Sequence, residues 1–319
     1  MRRAAMRLFW LAAFALCLTA AACSALDMRG MWESRAACSI APSTGDELAP
    51  LEALYPETEW TAYAQGEAAL SVANDALPAR AAQVCELAFL GDPGRIAPFC
   101  VASGRLPGEG ESGVCALDAQ SAWALFRSTD ADGNRVRVDG DSLLVVGVLD
   151  VERPLLMRCA APDARLNRLA AGSREELEAL ASALGEELDA FELSGAEAAR
   201  GALLLCAIPV ACLAGFALGA LRRRMGWRRE VLNLLLWALA AGFILAVLWC
   251  VPVRLLPTRW SDIEFYTQLL SDFRARDLRL PDARDLLMRG DLVRVGAWSL
   301  ACCAALWMER KCLKCEKGS

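Results

Sequence analysis

The chain has 319 residues, 56% of them hydrophobic, a formal net charge of −5 and no histidine. Together with a mean hydropathy of +0.31, that apolar share points to a membrane protein carrying one external domain rather than to two water-soluble domains. Without imidazole there is no Ser-His-Asp or Cys-His catalysis and no histidine-ligated metal centre; the only lysines are Lys311, Lys314 and Lys317 and no G-x-x-x-x-G-K-[ST] stretch occurs, which excludes a P-loop nucleotidase.

The first element is Leu8 to Leu26, apolar and uncharged, behind a basic start of Arg2, Arg3 and Arg7. Residues 1–26 are predicted to form a first transmembrane helix, a signal anchor. The same features fit a cleaved signal peptide, and Ala20-Ala21-Ala22-Cys23 imitates a lipoprotein site without the leucine three residues before the cysteine, so cleavage and lipidation stay open.

Residues 27–200 are predicted to be an extracytoplasmic domain. Acidic residues outnumber arginines there about twofold and lysine is absent, which argues against a nucleic-acid partner. Residues 27–58, with Pro42, Pro50 and Pro56, read as an irregular lead-in. "TAYAQGEAALSV", "QVCELAFLG" and "VCALD" read as strands, with the Gly- and Pro-rich loop "SGRLPGEGESG" before the last, and "AQSAWALF" as a short helix. In "GNRVRVDGDSLLVVGVLD", residues 133–150, Val136 and Val138 alternate with arginines, "DGD" turns, and "SLLVVGVLD" is apolar on both faces. That pattern predicts a β-hairpin with one half-exposed and one central strand, closed by Pro154, with Gly147 permitting close approach of a neighbour. Ser173 and Glu176 form a capping-box pattern before "REELEALASALG", with Gly185 as the stop.

Further spans are predicted at 201–221, 231–253 and 292–308, the last carrying Arg294. Arg222, Arg223, Arg224, Arg228, Arg229 and Glu230 make a short loop, 222–230, between the second and third. Arg310, Lys311, Lys314 and Lys317 lie in the tail, 309–319. With four spans all the basic groups fall on one side. The positive-inside rule then places both termini in the cytoplasm, and residues 27–200 and 254–291 outside. Within 254–291, Ser261 and Glu264 head an amphipathic helix, "SDIEFYTQLLSDF".

Asp130, Asp132 and Asn134 imitate the first ligands of a calcium loop, but Arg135 stands where glycine is needed and Asp141 where glutamate is, so a carboxylate-rich turn is expected. Cys312 and Cys315 form one C-x-x-C, expected to remain reduced and idle, the alternative being a metal site or redox pair completed by a second chain; neither metal nor cofactor is expected within one chain. The outer domain holds Cys38, Cys85, Cys100, Cys115 and Cys159, an odd set whose pairing stays open. The cysteines in the membrane windows serve as small apolar residues.

The stretch Ser103 to Asp150 resembles the MacB-like periplasmic core domain of FtsX-like ABC transporter permeases. The resemblance rests on Gly104-Arg105, the acidic loop Glu109 to Glu111, the strand Val114 to Leu117, Ala122 with Leu125-Phe126, Gly133, the strand Val136 to Val138, and Val145 to Val148. One helix, a large external domain and three further helices is also that family's layout. The resemblance implies an α+β protein, an extracytoplasmic mixed α/β domain on four transmembrane helices. It also implies a non-enzymatic permease-like subunit of a transporter or mechanotransmission complex in the lipid bilayer, with ATP hydrolysed by a separate ABC ATPase and a homodimer or heterodimer partner of the same kind. The loop Arg222 to Glu230 would dock that ATPase. Two departures stand out: the family's second-to-third connection is longer and holds a glutamate-containing coupling motif, and its last external loop is shorter than 254–291. The alternative is a non-transporting envelope protein whose outer domain binds or scaffolds.

Overall fold

A computed structural model describes residues 2–73, 80–151, 153–186, 188, 194–224, 229–250, 267, 271 and 282–317. The chain divides into two compact units, Ser34–Ser194 and a helical unit made of Met1–Glu33 with Gly195–Ser319.

Strands β1 (Ala36–Ser43), β2 (Trp60–Val72), β3 (Ala81–Leu90), β4 (Val101–Gly104), β5 (Val114–Asp118), β6 (Arg135–Val138), β7 (Asp141–Leu149), β8 (Leu155–Cys159) and β9 (Leu166–Ala171) build the first unit with helices α2 (Gly45–Leu54), α3 (Ala119–Phe126) and α4 (Arg174–Ala183). The sheet runs β1-β9-β2-β3-β8-β5-β7-β4, and β6 pairs with both β2 and β7. β3·β8 and β5·β7 are parallel and the other pairs antiparallel, so the sheet is mixed.

Two cores lie within this one sheet. Val72, Val84, Leu117, Leu125, Val136, Val145 and Leu156 pack between the β5–β7 region and α3. Leu48, Leu51, Ala62, Leu169, Leu177 and Leu180 join α2 and α4 to β1, β9 and the start of β2. Strand β2 enters both, with Ala62 in one core and Ala68, Leu70 and Val72 in the other.

The hairpin at 135–149 forms as its pattern predicts. Val136 and Val138 are fully buried between exposed arginines, and β7 is buried on both faces from Val145 to Leu149. Asp139 and Gly140 both take positive φ, 49° and 99°, the backbone a tight two-residue reversal requires. The capping box is also present: the Ser173 hydroxyl accepts from the Glu176 amide at 3.2 Å, the Ser173 amide donates to the Glu176 carboxylate at 3.1 Å, and Gly185 ends the helix at φ 75°.

The expected irregular lead-in is instead regular structure. Helix α1 (Arg2–Trp32) continues past Leu26, and β1 and α2 follow. Asp27 and Arg29 interrupt the apolar window without breaking the helix, because backbone hydrogen bonding is indifferent to a charge that reaches solvent. Pro42 falls near the end of an edge strand, where no ladder bond needs its missing N–H. The first turn of α2 is closed by the Thr44 amide donating to Glu47 at 2.8 Å.

In the helical unit, α1, α5 (Gly195–Arg224) and α7 (Ala283–Lys317) pack against one another and α6 (Arg229–Cys250) packs on α5. Among the described residues three helical stretches are long and apolar enough to cross a bilayer: Leu8–Trp32, Gly195–Leu218 and Ala283–Glu309. The apolar part of α6, Asn233–Val247, is shorter, and residues 251–253 of the expected third span lie outside the described residues. Most of the amphipathic segment 254–291, including Ser261 and Glu264, lies outside them too. Trp32, fully buried at the end of α1, donates from Nε1 to Asp291 Oδ2 of α7 at 2.9 Å, and the buried Arg284 guanidinium lies 5.7 Å from its ring centroid.

Candidate functional site

The 222–230 loop is framed by helix ends. Helix α5 runs through Arg222, Arg223 and Arg224, α6 opens at Arg229 and Glu230, and Arg228 lies outside the described residues. Arginines on the last turn of one helix and an exposed glutamate on the first turn of the next each complement the local helix dipole. Clustered charge here is therefore favourable to the helices whatever it binds.

In the other unit, the widely spaced pieces of the 103–150 motif converge. A β-carbon added to Gly104, whose φ is +73°, would lie 2.3 Å from the Val146 carbonyl oxygen, and one added to Gly147 would lie 2.1 Å from that of Arg105. The Arg105 amide donates to Val146 O at 2.9 Å. Gly104-Arg105 and the V-V-G-V strand are thus one backbone crossing, which only glycine at both positions permits.

From that crossing Arg105 reaches back to its own loop. Its guanidinium donates two bonds to the Glu111 carboxylate, at 2.6 and 2.9 Å, and Glu111 also accepts from the Gly108 amide at 2.8 Å. Those donors, Arg105 first, hold the Glu111 carboxyl below the usual range. The Cys159 thiol donates to Gly108 O at 3.1 Å and is itself pushed up by burial.

Asp118 was not singled out by sequence reading. It is fully buried; Oδ2 accepts from the Ser121 amide at 2.9 Å, capping α3, and Oδ1 from the Leu155 amide at 2.8 Å, fastening that cap to β8. An aspartate directly ahead of a short apolar helix is the signal that marks such a cap.

The 130–134 segment is a turn: Asn134 Nδ2 donates to Ala131 O at 3.1 Å, the Asp130 amide donates to Ser128 Oγ at 3.0 Å, and Gly133 takes φ 81°. Among the described residues no three Cys, Asp or Glu side chains are grouped to hold a metal ion. Cys38 and Cys115 are buried, Cys85 and Cys159 half-buried and Cys100 exposed, all as thiols. Burial pushes Cys115 up to about 12, against a smaller opposing pull from Arg158. Cys312 and Cys315 fall on the last turns of α7.

No family model matches the chain, and no curated protein sequence matches it significantly. Among the solved structures similar to it are two external domains of transporters. One is the extracellular domain of the noncanonic ABC-type transporter YknZ from Gram-positive bacteria, 13% identical over 48% of this chain and 96% of that one, with a TM-score of 0.38. The other is the periplasmic region of MacB from Actinobacillus actinomycetemcomitans, 15% identical over 50% of this chain and 88% of that one, with a TM-score of 0.40.

Proposed function

We propose that the chain is a permease-like membrane subunit of an ABC-type complex, with ATP hydrolysed by a separate chain that docks at the cytoplasmic loop Arg222 to Glu230. Four helices hold it in the cytoplasmic membrane, α6 with residues up to 253 being the third span. Both termini lie in the cytoplasm and the 34–194 unit outside. The observation that carries the reading is the backbone crossing of Gly104-Arg105 with Val146-Gly147, which joins motif pieces about forty residues apart in sequence where β4 pairs with β7. ATP-driven closure of the partner would move the helices and reshape the outer domain, a mechanical output that needs no catalytic residue in this chain. A second permease-like chain, identical or related, would complete the complex.

Purification in mild detergent from native membranes, with identification of co-purifying chains and an ATPase assay, tests this. A stoichiometric P-loop partner with ATP turnover is the expected result. Replacing Arg222, Arg223 and Arg224 with glutamine should then weaken its association without altering topology. The second reading, a scaffold or binding protein of the envelope that engages no ATPase, is favoured by one feature. Only residues 225–228 separate α5 from α6, little surface for docking. Crosslinking in cells that captures no ATPase would establish that reading instead.

A further inference from the structure

Three adjacent strands, β2, β3 and β8, run from one core of the 34–194 unit to the other, and the residues between the cores resemble neither. On the face that carries the helices, β2 passes from Ala62 and Ala64 at one core to Ala68 at the other, β3 from Leu90 to Val84, and β8 from Ala160 to Leu156. Strand alternation puts Gly66, Glu86, Ala88 and Arg158 on that same face, in the gap. The register brings them together: Gly66 pairs with Glu86 and Ala64 with Ala88 across β2 and β3, and Ala88 pairs with Arg158 across β3 and β8. The gap is a saddle floored by two alanines and a glycine, with one carboxylate and one guanidinium standing in it.

Arg158 Nε donates to Glu86 Oε1 at 2.5 Å, and the two side chains are 22% and 14% exposed. Among the described residues this is the one hydrogen bond that either side chain makes. Both Nη groups of Arg158 and Oε2 of Glu86 therefore keep unused hydrogen-bonding capacity, and none of the three is a sealed orphan. There is also room beside them: a β-carbon added to Gly66, opposite Glu86, would meet nothing within 4 Å. Joining the strands does not call for this pair, because the backbone ladder already bonds β3 to β8 from Cys85 with Leu155 to Phe89 with Cys159. A half-buried ion pair with a single bond returns little against its own desolvation.

We propose that this saddle binds a free α-amino acid. Its carboxylate accepts from Nη1 and Nη2 of Arg158, its ammonium donates to Oε2 of Glu86, and its side chain lies over Gly66 and the two alanines. Electrostatics select the zwitterion. The charges of Arg158 and Glu86 sum to zero, so an anion drawn to the guanidinium meets the carboxylate beside it, and a cation drawn to the carboxylate meets the guanidinium. A ligand carrying both charges on one carbon is attracted at each end and repelled at neither. A peptide, whose termini are far apart, does not satisfy both groups. The site lies wholly within the Ser34–Ser194 unit, so it stands or falls independently of ATPase docking.

The test uses the full chain in lipid nanodiscs, with saturation-transfer NMR against each standard amino acid in turn. For one that responds, calorimetric titration follows with that amino acid, its amide, its N-acetyl derivative and its tripeptide. The expected result is binding of at least one free amino acid, lost when either end is blocked. Glu86→Gln and Arg158→Gln should each weaken it about tenfold or more, the effect of losing one charged hydrogen bond. Gly66→Val fills the open space with a strand-favouring side chain and leaves the ion pair intact. It should remove binding while the melting temperature is retained, and it decides the question if either glutamine variant fails to fold. The proposal is overturned if no free amino acid responds, if a blocked derivative or the tripeptide binds as tightly as the parent, or if Gly66→Val keeps full affinity.

Discussion

Gly147 lies against the backbone of Arg105 so closely that a β-carbon would stand 2.1 Å from the Arg105 carbonyl oxygen. Neither partner is a flexible side-chain end, so the clash cannot be relieved by a rotamer. Gly147→Ala should cost more than ~3 kcal/mol, the upper range for a single overpacked site, and Gly104→Ala should do similar damage, since it adds positive-φ strain to a 2.3 Å clash. Thermal unfolding of the full chain in detergent, followed by proteolysis of the 34–194 unit, checks both.

Asp118 stands between α3 and β8 with one bond to each. Asp118→Ala strips two amides of their acceptor inside the protein, a loss of ~2–4 kcal/mol. Asp118→Asn, which retains one carbonyl acceptor, should lose about half as much. Hydrogen exchange at the Ser121 and Leu155 amides should rise in the alanine variant before any global unfolding.

Trp32→Phe preserves a buried ring at the end of α1 but removes the donor to Asp291 and weakens the face offered to Arg284. A destabilisation of ~1–2 kcal/mol is expected, read as a lower melting temperature of the helical unit with the 34–194 unit unaffected.

Thiol reactivity should separate the outer cysteines sharply. Cys100 is exposed, whereas Cys115 is buried and pushed to about 12, leaving almost no thiolate at neutral pH. Under non-denaturing conditions at pH 7.4, maleimide labelling with mass mapping should modify Cys100 within minutes and reach Cys115 only after denaturation. Rapid labelling of Cys115 in the folded protein would contradict this burial.

The Arg105–Glu111 loop should respond to acid. Arg105 holds the folded-state carboxyl of Glu111 below its unfolded value. The stabilisation is therefore complete above the ordinary glutamate pKa of about 4.3 and is lost as pH falls through the lower folded value. The Gly108 amide, which donates to Glu111, should titrate in NMR with a midpoint under that ordinary value, and Glu111→Gln should abolish the titration.

Much of the outer unit was legible wherever one residue's pattern reports on its immediate neighbours. The alternation of Arg135 to Val138, the two-sided apolar run ending β7 and the Ser173–Glu176 reciprocity are all local signals, and each became the element it predicts. Local signals also misled: Pro42 and Pro50 made β1 and α2 read as irregular, and the charges at Asp27 and Arg29 hid the continuation of α1. What could not be read was pairing across distance. Asp118 and Leu155 are 37 residues apart, and Trp32 and Asp291 are 259 apart; no periodicity joins them. The Arg222 to Glu230 cluster was visible as charge, but dipole complementarity explains much of that charge, and the sequence holds no sign of what faces it.

Strand β2 hydrogen-bonds to β9 from Trp60 to Tyr63, to β3 from Ala62 to Ser71, and to β6 from Leu70 to Val72. Its amides are therefore shielded by both cores at once, and freeing the central ones requires the two halves of the unit to open in the same event. A strand shared in this way fuses two small cores into one cooperative body, so strain arriving at the β1–β9 edge cannot be absorbed there alone: it is felt at the β6–β7 hairpin as well.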